Sequence, residues 1–124
     1  MNRSTLRTSI IILGLITALV HLVLLNIGYL RETGRPDILF TLNGLGYLGL
    51  LGAFVLNPGF LGGQRRLVHY AFMAFAGITI LAFLAKGGTG FAGRPFDPVG
   101  WATKLDEVLL ILALWRNVKL ETAA

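Results

Sequence analysis

The 124-residue chain contains no cysteine. That absence excludes disulfides, thiolate catalysis, iron–sulfur clusters and thiolate zinc sites, and it leaves the redox compartment unread. Charge is scarce as well: 14% of residues are charged, only six of them are acidic, and there are two histidines. No catalytic constellation can be assembled from so small a stock, so the expectation is a protein that is not an enzyme and needs no cofactor or metal. The formal charge of +5 does not point to nucleic acid either, because the basic residues stand in ones and twos rather than along one face.

What the chain has instead is apolar length. Hydrophobic residues make up 55% of it, above the balance of a soluble domain. Three uncharged runs, Ser9 to Leu30 (22 residues), Ile38 to Gln64 (27) and Leu67 to Ala85 (19), each approach or exceed the roughly 20 residues a helix needs to cross a bilayer. A fourth run, Val108 to Trp115, has only eight residues. Asp97-Pro98 supplies a start that lengthens it, with Asp as N-cap and Pro where its missing N–H is harmless. The reading is a single all-α domain over 1–124: four transmembrane helices at about 8–30, 37–57, 64–86 and 98–118, in an up-down-up-down bundle. Gly34 turns the first link before Pro36 starts the second helix, and Asn57-Pro58-Gly59 ends that helix. The glycine- and proline-rich "GGTGFAGRPFDPVG" forms the last link. Arg3 and Arg7 ahead of the first run resemble a secretory leader, but the run outlasts a leader's core and lacks an A-x-A-like site, so a retained anchor is expected.

Basic residues give a weak orientation. Arg3, Arg7, Arg65, Arg66, Arg116 and Lys119 would share the side of both termini, six against the five of Arg31, Arg35, Lys86, Arg94 and Lys104. Both termini are therefore expected on the cytoplasmic side, in a prokaryotic inner membrane. Arg65, Arg66, Arg116 and Lys119 read as anchors to lipid head groups, with Trp115, Trp101 and Tyr29 as interface aromatics.

Gly44, Gly46 and Gly49 spell G-x-G-x-x-G. A dinucleotide turn needs a strand before it and an acid about 20 residues on. Here the next acidic residue after Asp37 is Asp97, and the motif lies inside an uncharged run where an open phosphate loop would leave amides unsatisfied in lipid. Read as a helix, Gly46, Gly49 and Ala53 share a face and allow close backbone approach, and Gly14, Ala74 and Gly77 offer similar surfaces.

Polar residues at depth are the candidate site: His21, Asn26, Asn43, Tyr47, Asp106 and Glu107. Gly14, Thr17, Ala18, His21 and Gly28 follow a three-and-four spacing that faces protein, and His21 is placed to meet Tyr47. Asp106 and Glu107 point about 100° apart, so one is expected to face the bundle and the other water or head groups. Lys104 is read as poorly placed to pair with either, Lys86 or Arg31 being the alternatives. A bis-histidine haem fails on depth, since His21 and His69 are offset by roughly 12 Å, and His69 is expected near Asn57 and Asn117.

The phrases "TALVHLVLLNIGY", "LNGLGYLGLLGAF" and "KLDEVLLILAL" resemble small four-helix prokaryotic integral membrane proteins of an uncharacterised family. The resemblance implies the architecture and carries over no catalytic residue. Three function classes follow. The first is an accessory subunit that packs on other transmembrane helices, or on its own copies, through Gly/Ala faces. The second is a small transporter or channel for protons, ions or a small solute, using Asp106, Glu107, His21, Tyr47 and the asparagines. The third is a redox or quinone-binding subunit.

Overall fold

The computed structural model describes residues 2–56, 65–85 and 98–123. All described secondary structure is helical. The first helix, α1 (Arg3–Thr33), runs for 31 residues with a π-helical turn at Val20–Leu24. It is followed by α2 (Ile38–Leu56), α3 (Arg65–Ala85) and α4 (Pro98–Ala123). Three of these, α1, α2 and α3, are long and apolar enough to cross a membrane, which marks the chain as an integral membrane protein.

Helix ends follow local chemistry. Asn2 caps α1, its Oδ1 accepting from the Thr5 amide at 2.8 Å, so the helix starts five residues before the expected start at residue 8. Gly34 ends it in the left-handed region at φ 78°, where glycine has no Cβ penalty. Pro36 does not open α2; Asp37 caps it instead, accepting from the Phe40 amide at 2.8 Å. Pro98 is the first residue of α4, while Asp97, the link before it and Asn57-Pro58-Gly59 lie outside the described residues.

The π turn inserts one residue into α1, which rotates everything beyond it by about 100°. The stripe Gly14, Thr17, Ala18, His21 and Leu25 stays buried across it, with Gly28 half-buried beyond. Asn26, on the far side of the turn, is thereby brought to α2. Its Nδ2 donates to Thr41 Oγ1 at 3.0 Å and to the Leu22 carbonyl at 2.9 Å, and its Oδ1 accepts from the Asp37 amide at 2.9 Å. One asparagine thus ties both sides of the α1–α2 link.

The apolar interior is built from Ile10, Leu51, Phe54, Phe72, Leu110 and Leu114, while large hydrophobics such as Leu19, Leu45, Ile78 and Leu112 face outward. Glycines divide into two sets. Gly44 lies against the backbone of α1, where a Cβ would sit 3.0 Å from the Ala18 carbonyl oxygen and from the Leu22 amide nitrogen. At Gly46 a Cβ would fall 2.7 Å from Phe75 Cε2, and at Gly14 one would fall 3.2 Å from Leu51 Cδ1. By contrast, Gly49, Gly52 and Gly77 have nothing within 4 Å of that position among the described residues, and Ala74 is exposed. Ala53 is half-buried against the core.

Gly44→Ala is expected to destabilise the bundle by about 1–3 kcal/mol, because the clash is with backbone that cannot step aside. Gly49→Ala should be neutral or stabilising by up to about 1 kcal/mol through helix propensity. Thermal unfolding of the two variants in one detergent compares them directly, and equal midpoints would contradict the packing.

Candidate functional site

The interior of the bundle holds a connected set of polar side chains centred on Glu107, which is 0% exposed. Its Oε2 accepts from the Tyr47 hydroxyl of α2 and from Thr17 Oγ1 of α1, the latter at 3.1 Å. Its Oε1 forms an ion pair with the Lys104 ammonium one turn earlier on α4. Two hydroxyl donors and one cation, from three helices, match the acceptor-only, negatively charged character of a carboxylate. Lys104 is itself only 7% exposed, and its ammonium also lies 5.4 Å from the centre of the Phe83 ring on α3.

His21 joins this set through Thr17. Its Nδ1 stands 2.8 Å from the Thr17 carbonyl oxygen and 3.4 Å from Thr17 Oγ1. A carbonyl can only accept, so the ring nitrogen donates. The imidazole ring packs beside Tyr47, with centroids 5.9 Å apart, and edge-on to Phe40 at 6.4 Å. His21 and Tyr47 meet as rings, and the Tyr47 hydroxyl goes to Glu107.

Two expectations are corrected here. Lys104 does pair with Glu107: residues three apart are neighbours on a helix surface, and in a buried setting no water competes for the carboxylate. Nor do Asp106 and Glu107 divide between interior and exterior. Asp106 is 8% exposed and Glu107 fully buried, because both α1 and α3 pack on α4 and cover an arc wide enough for both directions. Asp106 Oδ2 is buried and meets no hydrogen-bond donor among the described residues.

Asn26 stands apart from the Glu107 set, whereas Asn43 borders it through Thr79, whose hydroxyl also meets the Tyr47 hydroxyl. Asn26 serves the α1–α2 link. Asn43 Nδ2 donates to Thr79 Oγ1 at 2.9 Å, Thr79 donates to the Phe75 carbonyl at 2.9 Å, and Asn43 Oδ1 is a buried acceptor with no partner among the described residues. Thr17, Thr79 and Lys104 are the members that sequence reasoning undervalued. For Thr17 the signal was present, four residues ahead of His21 on the same stripe.

A second polar group lies around the C-terminal end of α2. Arg7 Nη2 donates to the Val55 carbonyl at 3.1 Å, and Arg65 Nη1 donates to the Phe54 carbonyl. Both guanidinium groups lie over the Phe54 ring, 5.5 and 4.9 Å from its centre. Cations at a helix C-terminus satisfy its open carbonyls and oppose its dipole. Arg65 is therefore a cap as well as a boundary charge, whereas Arg66, Arg116 and Lys119 are exposed, with Lys119 4.6 Å over Trp115.

Close by, the buried His69 has Nδ1 2.7 Å from the Arg65 carbonyl, Nε2 2.8 Å from Asn117 Nδ2, and Phe54 edge-on at 5.3 Å. The two histidines thus take separate partners, and the expected Asn117 neighbour of His69 is present. Asn57 lies outside the described residues.

No protein-family model matches this chain, and no curated protein or solved structure shows significant similarity to it.

Removing one member of a buried ion pair leaves the other charge uncompensated. Lys104→Met is therefore expected to cost about 3–5 kcal/mol, and the Lys104→Met, Glu107→Leu double variant should recover most of that loss. Tyr47→Phe removes one charge-assisted hydrogen bond, worth about 1.5–3 kcal/mol. Denaturant titration of these three variants, of Glu107→Leu and of the parent protein in micelles checks both, and additive losses for Lys104 and Glu107 would contradict the pairing.

Proposed function

We propose that this chain is a non-enzymatic carrier of a prokaryotic inner membrane that moves protons, alone or with a small solute, through the polar set centred on Glu107. In this reading all four helices cross the bilayer, up, down, up and down, with both termini on the cytoplasmic side. The inclusion of α4 is supported by its length, 26 residues or about 39 Å, and by the inward placement of Lys104, Asp106 and Glu107. The observation that carries the function is the run of contacts from His21 through Thr17 to Glu107 and Tyr47. Ionisable side chains linked within a membrane bundle are the parts from which proton relays are built.

A second reading, an accessory subunit that docks other transmembrane helices or further copies of itself, is supported by Gly49, Gly52 and Gly77. Glycine in a helix costs about 1 kcal/mol against alanine. Among the described residues these three have no internal contact that would require one, while small residues at a surface favour close helix approach in lipid. Arg66, Arg116 and Lys119 then hold the bundle at the head groups in either reading.

Purified protein in liposomes carrying an internal pH dye tests the first reading. An imposed gradient should drive proton flux that Glu107→Gln or Asp106→Asn reduces at least tenfold, in variants that keep the elution volume of the parent. Flux indistinguishable from empty liposomes would overturn it. If the native assembly is also strictly monomeric, the accessory reading falls too.

A further inference from the structure

The two histidines are bonded in the same way at Nδ1 and differently at Nε2, and that difference marks a site. In both, Nδ1 faces the carbonyl oxygen four residues back, Thr17 for His21 and Arg65 for His69, so both neutral rings carry their hydrogen on Nδ1. Nε2 is then left with a lone pair in each. His69 uses its lone pair: Asn117 Nδ2 donates to it at 2.8 Å. His21 Nε2 has no hydrogen-bond donor among the described residues, although the residue is only 5% exposed. A basic nitrogen in that position is an open acceptor on a ring that packs against Phe40 and Tyr47.

We propose that His21 Nε2 is the proton-accepting position of the bundle, which hands protons to Glu107 through the Thr17 hydroxyl. This rests on the proton-handling reading and deepens it by naming the point of uptake. The step balances without any electron transfer. A proton from water bonds to Nε2, the Nδ1 hydrogen passes to Thr17 Oγ1 at 3.4 Å, and the original Thr17 hydroxyl hydrogen passes to Glu107 Oε2 at 3.1 Å. His21 is left neutral with its hydrogen on Nε2, and Glu107 protonated. The groups facing His21 are Tyr47 and Phe40 from α2 and, at longer range, Glu107 and Lys104 from α4. Thr17 is a positioning residue here, since it both fixes the ring through its carbonyl and bridges it through its hydroxyl. His69, by contrast, closes its own lone pair and joins α3 to α4.

The test is nitrogen NMR of full-length protein labelled at histidine and reconstituted in lipid nanodiscs, with the carboxyl infrared band of Glu107 followed in parallel. His21 should appear as the Nδ1–H form with an unbonded Nε2 that takes up a proton on acidification, while His69 shows a hydrogen-bonded Nε2. Thr17→Val keeps the shape and the carbonyl but removes the hydroxyl. It should leave the His21 response in place and abolish the accompanying change in the Glu107 band. A neutral His21 carrying hydrogen on Nε2 at the outset, or a Glu107 band that responds identically in Thr17→Val, would overturn the proposal. Absence of liposome flux with the His21 response intact removes transport and leaves this site standing. Flux with an unresponsive His21 removes the site and leaves transport standing.

Discussion

A carboxylate with no exposure to solvent has to find its donors within the protein, and Glu107 takes them from α1, α2 and α4. That requirement organises the bundle. In lipid the outward apolar side chains gain nothing by turning inward, so burial alone does not tell these helices how to pair. Hydrogen bonds to one buried group do. Thr17 fixes the rotation of α1, Tyr47 that of α2, and Lys104 supplies the opposite charge from the same face of α4. Severing any one of these leaves the others facing a buried charge, which makes the arrangement specific.

The rest of the fold brings those donors into range. Gly44 lets α2 approach the backbone of α1 at Ala18 and Leu22, just where the π turn begins, and the turn keeps His21 inward while bringing Asn26 to the next helix. Asn26 fixes one end of the α1–α2 pair; Arg7 and Arg65 over Phe54 fix the other. Between these clamps Tyr47 is fully buried, edge-on to Phe75 at 4.9 Å. An apolar perimeter surrounds a largely apolar core, with the polar groups gathered inside it, as a hydrocarbon solvent favours.

The spans of α1, α2 and α3 were legible because uncharged length is a direct property of the sequence, and Pro98 marked the start of α4. The protein-facing stripe of α1 was legible too, from its spacing. What spacing cannot say is which neighbour a face meets. Gly49 and Gly46 lie on one side of α2 by periodicity, yet among the described residues only Gly46 meets a ring. Gly44, the first glycine of the apparent nucleotide fingerprint, is the one that touches backbone. The π turn left no sequence mark, since it depends on what packs beside Val20–Leu24. Lys104 was misread because its spacing to Glu107 was taken as unfavourable, although residues three apart are neighbours on a helix. Inside a bundle, with two helices covering α4, a lysine three residues before a glutamate has nowhere better to go. Asp106 was misplaced because the width of the covered arc is a tertiary property.

The account stands on Glu107 being an internal, lysine-paired group in the bilayer. The most direct measurement is a solid-state NMR distance between Lys104 Nζ and the Glu107 carboxyl carbon in protein reconstituted in lipid, with a water-soluble paramagnetic agent added to report access. A buried ion pair gives a separation within about 4 Å and no broadening of the Glu107 signal by the agent. A longer separation, or a Glu107 carboxyl reached by the agent, would contradict it.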